Sequence, residues 1–131
     1  MEITVDTNVL LRLFLDDDEA QTDAAIAAMN SAELVAISVH SLCELVWVFN
    51  ARKTMPRREI AAAIRSLTGR RNVIINRPAV EAGLAVLDAG GDFADGVIAF
   101  DGQWMGARTF VSFDKKAVAL LNRQGVEARL L

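Results

Sequence analysis

The stretch Ile3-Thr4-Val5-Asp6-Thr7-Asn8-Val9-Leu10-Leu11 decides the fold. Its first three residues are typical of a short buried strand, and Asp6 stands where that strand ends. A carboxylate removed from water is costly unless it is paired or bound to a metal, so Asp6 needs a partner. Three more acids stand in similarly apolar stretches: Glu44, Asp95 and Asp114. Four carboxylates of this kind predict a site for a divalent cation.

The composition predicts one soluble domain. The chain has 131 residues, enough for a single two- or three-layer core, and we expect residues 1–131 to form one domain. Apolar residues make up 53% of it, yet the apolar runs are far shorter than the roughly 18 residues that span a bilayer. We find no secretory signal at the N-terminus, and the single cysteine, Cys43, fits a reducing compartment. These features indicate a cytoplasmic protein.

Charge is unevenly distributed, although the net charge is only −3. Residues 1–33 carry eight acids and the single base Arg12, whereas residues 52–77 carry eight bases and the single acid Glu59. The basic stretch either binds phosphates beside an acidic metal site or forms a solvated helix face, and both interpretations stay open. Its bases are Arg52, Lys53, Arg57, Arg58, Arg65, Arg70, Arg71 and Arg77.

Strand and helix signals alternate along the chain. Strands are predicted at 2–5, 34–37, 73–75, 109–113 and 126–130. Helices are predicted from about residue 9, at 19–30, from the Ser38 cap to 52, at 56–68, at 78–89, from the Asp92 cap to 105, and at 115–123.

This alternation predicts an α/β fold of three layers, α/β/α, with a central, mainly parallel sheet. Such sheets bind ligands beyond the carboxyl ends of their strands. Asp6 and Asp114 each follow a predicted strand, so they would emerge side by side if those two strands are neighbours. Glu44 lies on a helix, on the same side as His40.

Four sequence blocks follow one another in order: Asp6-Thr7-Asn8-Val9-Leu10-Leu11-Arg12, Ser41-Leu42-Cys43-Glu44-Leu45, Asp92-Phe93-Ala94-Asp95-Gly96-Val97-Ile98-Ala99 and Ser112-Phe113-Asp114. Together they closely resemble the PIN domain family and, within it, the VapC-type toxins. The resemblance covers essentially the full chain. It is less regular at Gly96, where a small Ala is common, and we expect glycine to be tolerated there next to the metal.

The resemblance implies a PIN-like fold and an endoribonuclease that depends on Mg²⁺ or Mn²⁺. Such a protein would be the toxin of a type II toxin–antitoxin system, inhibited by a cognate VapB-type antitoxin. The cation would activate a water for attack on an RNA phosphodiester. With a second cation beside the phosphate, the products would carry a 5′-phosphate and a 3′-hydroxyl.

Carried over residue by residue, the resemblance makes Asp6 and Asp95 the best metal ligands. Glu44 completes the ligand set directly or through a water, and Asp114 supports it from a fourth position. Asp92 either caps its helix or adds a carboxylate, and the two roles are compatible. The supporting residues are Thr7 and Ser112, as hydrogen-bond partners of neighbouring carboxylates, and Asn8, which fixes the turn after the first strand.

Three other classes of protein begin with, or retain, similar acids. A haloacid-dehalogenase-type phosphatase needs a second acid two residues after the first, and Asn8 stands there. A receiver-type signalling domain needs an acid pair after its first strand, which is not evident. A catalytically inactive PIN-fold module that binds RNA or protein is the main alternative. Loss of the acids would mark such a module, and all four acids are present.

The remaining candidates have two interpretations each. His40 is better explained as a helix-face residue than as a ligand, because hard-oxygen sites do not need imidazole. Phe14, Trp47 and Phe49 either line a groove for a partner helix or pack in the core. Val97 and Trp104 are spaced like residues on one face of a helix, and this spacing more often indicates a core residue than one that stacks on a base. The high apolar content also predicts a homodimer and a groove covered by the antitoxin.

Overall fold

The computed structural model describes residues 1–53 and 55–131, and within them the chain forms five short strands and seven helices. In chain order these are β1 (Glu2–Thr4), α1 (Thr7–Arg12), α2 (Glu19–Ser31), β2 (Leu34–Ala36), α3 (Val39–Arg52), α4 (Arg57–Thr68), β3 (Val73–Ile74), α5 (Arg77–Asp88), α6 (Phe93–Trp104), β4 (Phe110–Ser112), α7 (Lys115–Arg123) and β5 (Ala128–Leu130). The strands pair in parallel. The predicted mixed α/β fold with parallel strands is confirmed, and every predicted element is present.

The helices begin at the residues that can cap them. Asp18 accepts a hydrogen bond from the backbone N–H of Gln21 at 3.0 Å, and Ser38 accepts one from that of Ser41 at 3.1 Å. Such bonds satisfy backbone donors that have no partner within the first helical turn. Pro56 directly precedes α4, so a residue without a backbone donor stands where the helix needs none.

The chain divides into two compact units, which we describe separately. The first comprises Met1–Pro56 and Ala62–Ile75, and the second comprises Arg57–Ala61 and Asn76–Leu131. The expectation that residues 1–131 form one domain stays a prediction.

The first unit is built on a three-stranded parallel sheet in the order β1-β2-β3. Ile3 lies opposite Val35, which in turn lies opposite Val73. Val35 is fully buried because β2 is the middle strand. The sheet therefore fixes where β1 ends, and with it the position of Asp6.

The core of the first unit contains helical side chains from α1 and α3. The ring of Phe14 meets that of Phe49 edge to face, with centroids 5.4 Å apart. Phe49 is fully buried, whereas Trp47 is 69% exposed. The core interpretation is therefore right for Phe49 and wrong for Trp47.

In the second unit α5 and α6 pack closely because two glycines leave room between them. A Cβ at Gly83 would lie 2.7 Å from the ring of Phe93, and a Cβ at Gly96 would lie 2.3 Å from the carbonyl oxygen of Ala82. Both distances are too short for any real contact, so the helix pair requires glycine at these positions. Glycine is accommodated at position 96, as expected, and the reason is the helix backbone beside it, which leaves no room for a Cβ.

A second parallel sheet, formed by β4 and β5, belongs to this unit, and α7 packs against it. Its core includes Val86, Leu120 and Leu121. Trp104 is 81% exposed at the end of α6, whereas Val97 is buried. The prediction that Trp104 is a core residue is therefore wrong, because helical spacing alone does not show where the buried face ends.

The sequence predicts that Asp6 and Asp114 emerge side by side if the strands that precede them are neighbours. Among the described residues β1 pairs with β2, and β4 pairs with β5, so that condition is not met by hydrogen-bonded pairing.

In the described part of the chain no helix has the length and apolarity needed to cross a bilayer.

Candidate active site

Asp6 is held by the helix that it starts. Its backbone is extended after β1, and Oδ1 accepts a hydrogen bond from the backbone N–H of Val9 at 3.0 Å. The side chain is exposed, so water solvates the carboxylate, and burial does not force it to take the ionic or metal partner that we expected. The expectation of a desolvated Asp6 is wrong, because Asp6 lies beyond the end of the short β1 and is exposed to water. The carboxylate is nevertheless fixed at one oxygen, while Oδ2 stays clear of that bond.

Glu44 lies on α3 and is held at both oxygens. The hydroxyl of Thr7 donates to Oε2 at 2.9 Å, and Nε2 of His40 lies 2.7 Å from Oε1. The first contact joins the start of α1 to α3, so it places Glu44 at the end of α1 that Asp6 caps. The hydrogen bond expected from Thr7 is present. His40 lies on the exposed helix face as predicted, and it also orients the carboxylate.

Two acids of the second unit are also helix caps. Asp92 accepts a hydrogen bond from the backbone N–H of Ala94 at 3.1 Å. Asp114 accepts two, from the backbone N–H groups of Lys116 at 2.9 Å and Ala117 at 3.1 Å. All three bonds use Oδ1 of the aspartate, so Oδ2 is not engaged by them. The capping role considered for Asp92 is therefore confirmed.

Asp95 stands in the first turn of α6 and is half-buried. Burial raises the pKa of its carboxyl above the ordinary value, and the negative charges of Asp92 and Asp114 raise it further. The second unit therefore brings the carboxylates of Asp92 and Asp114 within electrostatic reach of Asp95. This arrangement is unfavourable by itself and favours a positive charge among the three.

The remaining supporting residues have local roles. Ser112 Oγ accepts a hydrogen bond from the backbone N–H of Asp114 at 2.9 Å, so it fixes the turn after β4 and does not contact a carboxylate through that bond. Asn8 is exposed in the first turn of α1. It lines a pocket together with Asp6.

The donor atoms fit a hard divalent cation, because every candidate ligand is a carboxylate. Asp95 adds an electrostatic reason, since a cation would offset the repulsion that raises its pKa. Within residues 1–53 and 55–131, however, no three His, Cys, Asp or Glu side chains stand ready to hold a metal ion together.

The sequence model of the PIN domain matches residues 3–120, about nine-tenths of the chain. The chain belongs to the PIN domain family. No curated protein matches it closely enough to name a relative. PIN domains are generally metal-dependent nucleases, so membership supports a nuclease hydrolase as the general class. The mixed α/β structure with parallel strands is consistent with the PIN-like α/β/α fold.

The basic stretch of this PIN domain is only partly engaged by its own chain. Arg57 donates to the carbonyl oxygen of Gly91, and Arg70 Nη2 donates to Asn30 Oδ1 at 2.7 Å. Arg58 and Arg71 are exposed. The stretch therefore fixes loops within each unit and also presents positive charge to solvent.

Sequence reasoning missed one group beside the candidate ligands of the PIN domain. Arg12 lines the same pocket as Asp6, and it pairs with Asp17. Its side chain is only 17% exposed. The sequence does carry a signal for it, because Arg12 follows Asn8 by four residues on α1 and so lies on the same helix face as Asn8.

Proposed function

We propose that this PIN domain is a Mg²⁺- or Mn²⁺-dependent endoribonuclease and the toxin of a type II toxin–antitoxin system. The observation that carries the proposal is the cluster of Asp92, Asp95 and Asp114, in which burial and like charge raise the pKa of Asp95. Acids that serve only to stabilise a fold are usually paired with a base in a salt bridge. Acids whose mutual electrostatic repulsion is not offset by a base are typical of a site where a cation binds.

In the proposed site Asp6 and Asp95 ligate the cation. Glu44 completes the set directly or through a bound water, and Asp114 supports it. Asp92 adds a carboxylate while it caps α6. The all-carboxylate donor set suits magnesium or manganese, because both prefer oxygen ligands and retain several waters.

The residues of the chain orient these acids before substrate arrives. Thr7 and His40 hold the two oxygens of Glu44, so its carboxylate is presented in one orientation. The capping bonds of Asp6 and Asp114 hold Oδ1 of each carboxylate and leave Oδ2 outside those bonds. When bound, a divalent cation supplies a water of lowered pKa and offsets charge on the phosphoryl oxygens. The expected products carry a 5′-phosphate and a 3′-hydroxyl.

RNA is the substrate that fits the charge pattern. Exposed arginines of the basic stretch, such as Arg58 and Arg71, would bind backbone phosphates, and unpaired bases would give selectivity. The acids alone would repel an RNA strand. Exposed arginines elsewhere in the same chain would offset that repulsion.

Exposed aromatic side chains support the proposed protein partners. Trp47 is 69% exposed on the helix that carries Glu44, and Phe113, next to Asp114, is 80% exposed. Large apolar side chains at such positions favour a covering partner. We propose a VapB-type antitoxin as that partner, a homodimer as the assembly, and the cytoplasm as the place of action.

One observation favours a second candidate, a PIN-fold module that binds RNA or protein without cutting. Among the described residues no set of three ligands is assembled. An inactive module would leave its acids unassembled. A nuclease would assemble them when metal and RNA bind.

Cleavage of total cellular RNA by the purified protein, free of antitoxin, decides between them. We expect discrete cuts with Mg²⁺ or Mn²⁺, none with EDTA, and none from Asp6→Asn or Asp95→Asn. Asp23→Asn is the matched control, because Asp23 is an exposed acid on α2 outside the candidate site. A folded, metal-loaded protein that leaves all RNA intact would reject the nuclease proposal in favour of the binding module.

A further inference from the structure

We propose that the pocket between α1 and α2 binds one unpaired nucleobase of the RNA, next to the phosphate that is cut. The inference rests on the proposed ribonuclease function and adds a base-recognition site to it. The pocket encloses about 360 Å³ within the first unit. The lining residues that matter here are Asp6, Asn8, Arg12, Gln21, Ala24 and Ala28.

The walls of the pocket suit the shape of a base. Ala24 and Ala28 recur four residues apart on α2 and present methyl groups, which leave a flat apolar wall. A base has apolar faces and a polar edge, so it needs such a wall with hydrogen-bonding groups around it. The amides of Asn8 and Gln21 supply both donors and acceptors.

Arg12 provides an independent sign of a missing ligand. Its Nε is buried, and it has no hydrogen-bond partner among the described residues, although Nη1 is paired with Asp17. A buried donor without an acceptor is unfavourable, so an acceptor that reached this N–H after a turn of the side chain would offset that cost. A guanidinium pairs well with two neighbouring acceptors on a base edge, such as O6 and N7 of guanine. A small turn of the Arg12 side chain would present this edge.

The location ties the base to the reaction. Asp6 lines the pocket and is also a proposed metal ligand, so a base seated there belongs to a nucleotide beside the cleaved phosphate. A base with acceptor atoms satisfies Arg12 and the amides at once. An aliphatic side chain of a protein partner would fill the space and leave all three groups unpaired, so RNA is the occupant that the pocket favours.

A pair of variants on α2 tests the proposal. Ala24→Leu fills the pocket from an exposed position, whereas Ala27→Leu adds the same side chain at an exposed position outside it. A single-stranded RNA that spans a mapped cut site, labelled with a fluorophore and studied by anisotropy in EDTA, should bind about tenfold more weakly to Ala24→Leu. Ala27→Leu should bind like the unchanged protein. Gln21→Ala should alter the preferred base at one position of the mapped cuts.

The outcomes distinguish the proposed base-binding pocket from the proposed ribonuclease function on which it rests. If Ala24→Leu binds and cuts as well as Ala27→Leu while Asp6→Asn is inactive, the pocket proposal is overturned and the nuclease stands. If the unchanged protein neither binds nor cuts RNA, both proposals fall. If Ala24→Leu keeps RNA binding but loses a co-purifying protein partner, the pocket belongs to that partner and the base proposal is wrong.

Discussion

Asp95 combines two properties that conflict in a folded protein without a ligand. It is half-buried, and Asp92 and Asp114 place negative charge near it, so the pKa of its carboxyl is raised. Because the folded state holds this proton more tightly than the unfolded chain does, the ionised group reduces stability above the folded-state pKa. That loss disappears as the pH falls through the folded-state pKa. We infer that Asp95 is retained for function at the expense of stability.

Asp95→Asn should therefore raise thermal stability while it abolishes cleavage. At pH 7 and without metal we expect the melting temperature to rise by about 1–3 °C, a modest shift because the group is only half-buried. The difference should shrink as the pH falls through the raised pKa of Asp95, because the carboxyl of the unchanged protein then becomes neutral. Melting curves of both proteins from pH 4 to pH 8 measure this. An equal or lower melting temperature for the variant at pH 7 would contradict the electrostatic argument.

Thr7 is expected to position Glu44 without touching the substrate. Thr7→Val removes the donor that holds Oε2 and keeps the shape of the side chain. We expect kcat to fall by roughly three- to tenfold with KM little changed, because one orienting hydrogen bond is lost. Thr7→Ser should restore most of the rate.

The chain offers a matched control for this variant. The hydroxyl of Thr109 donates to Glu127 Oε1 at 2.7 Å, a bond of the same type away from the proposed ligands. Thr109→Val should change stability about as much as Thr7→Val and leave kcat unaltered. A loss of activity in both variants would mean that the effect of Thr7 is only structural.

At the scale of single residues, the positions of the acids could be predicted from the sequence, but their exposure and contacts could not. That acids follow β1 and β4 could be predicted, because strand and cap signals are local. The exposure of Asp6 could not, since it depends on how many residues of β1 the neighbouring strand covers. Which hydroxyl reaches which carboxylate, as for Thr7 and Glu44, depends on the packing of helices far apart in sequence.

Among the secondary-structure elements, the α5–α6 pair depends most plainly on one position. Gly96→Ala would place a methyl group 2.3 Å from the carbonyl oxygen of Ala82, and a backbone cannot yield cheaply. We expect the free energy of unfolding to fall by about 3 kcal/mol, the upper part of the range for overpacking. Chemical denaturation of the two proteins measures this loss.

Gly102→Ala is the control on the same helix. A Cβ there would meet nothing nearer than the carbonyl oxygen of Ala107, at 4.0 Å. Alanine favours helix over glycine, so this variant should gain about 0.5–1 kcal/mol. If the Gly96→Ala and Gly102→Ala proteins had the same free energy of unfolding, the argument that α5 and α6 pack too closely for a side chain at position 96 would be wrong.

Element positions were the part of the fold that sequence predicted well. The cap at Ser38, the proline before α4 and the glycines after α5 are local signals with direct physical causes. Strand pairing was predicted less well, because hydrophobic runs such as 109–113 indicate a strand and not its neighbour. The resemblance to the family supplied the order of the acids, but it did not reveal why Gly96 is glycine.

At the scale of the whole molecule the question is cooperativity. A chain of 131 residues ordinarily unfolds as one domain, yet its contacts separate into two compact units. Helix α4 contributes Arg57–Ala61 to the second unit and its remaining residues to the first. Because helix formation is cooperative, partial loss of α4 is unfavourable, and this favours joint unfolding.

We therefore predict that the two units unfold together, and amide hydrogen exchange can test it. Val35, whose N–H donates to the carbonyl oxygen of Asn72 at 2.7 Å, reports on the first unit, and Leu84 in α5 reports on the second. In one cooperative domain the two amides open with the same free energy. Gly96→Ala disturbs only residues of the second unit, so it should lower the opening free energy of Val35 as much as that of Leu84. If Leu84 alone exchanges faster, the units unfold independently and the prediction of a single domain is wrong.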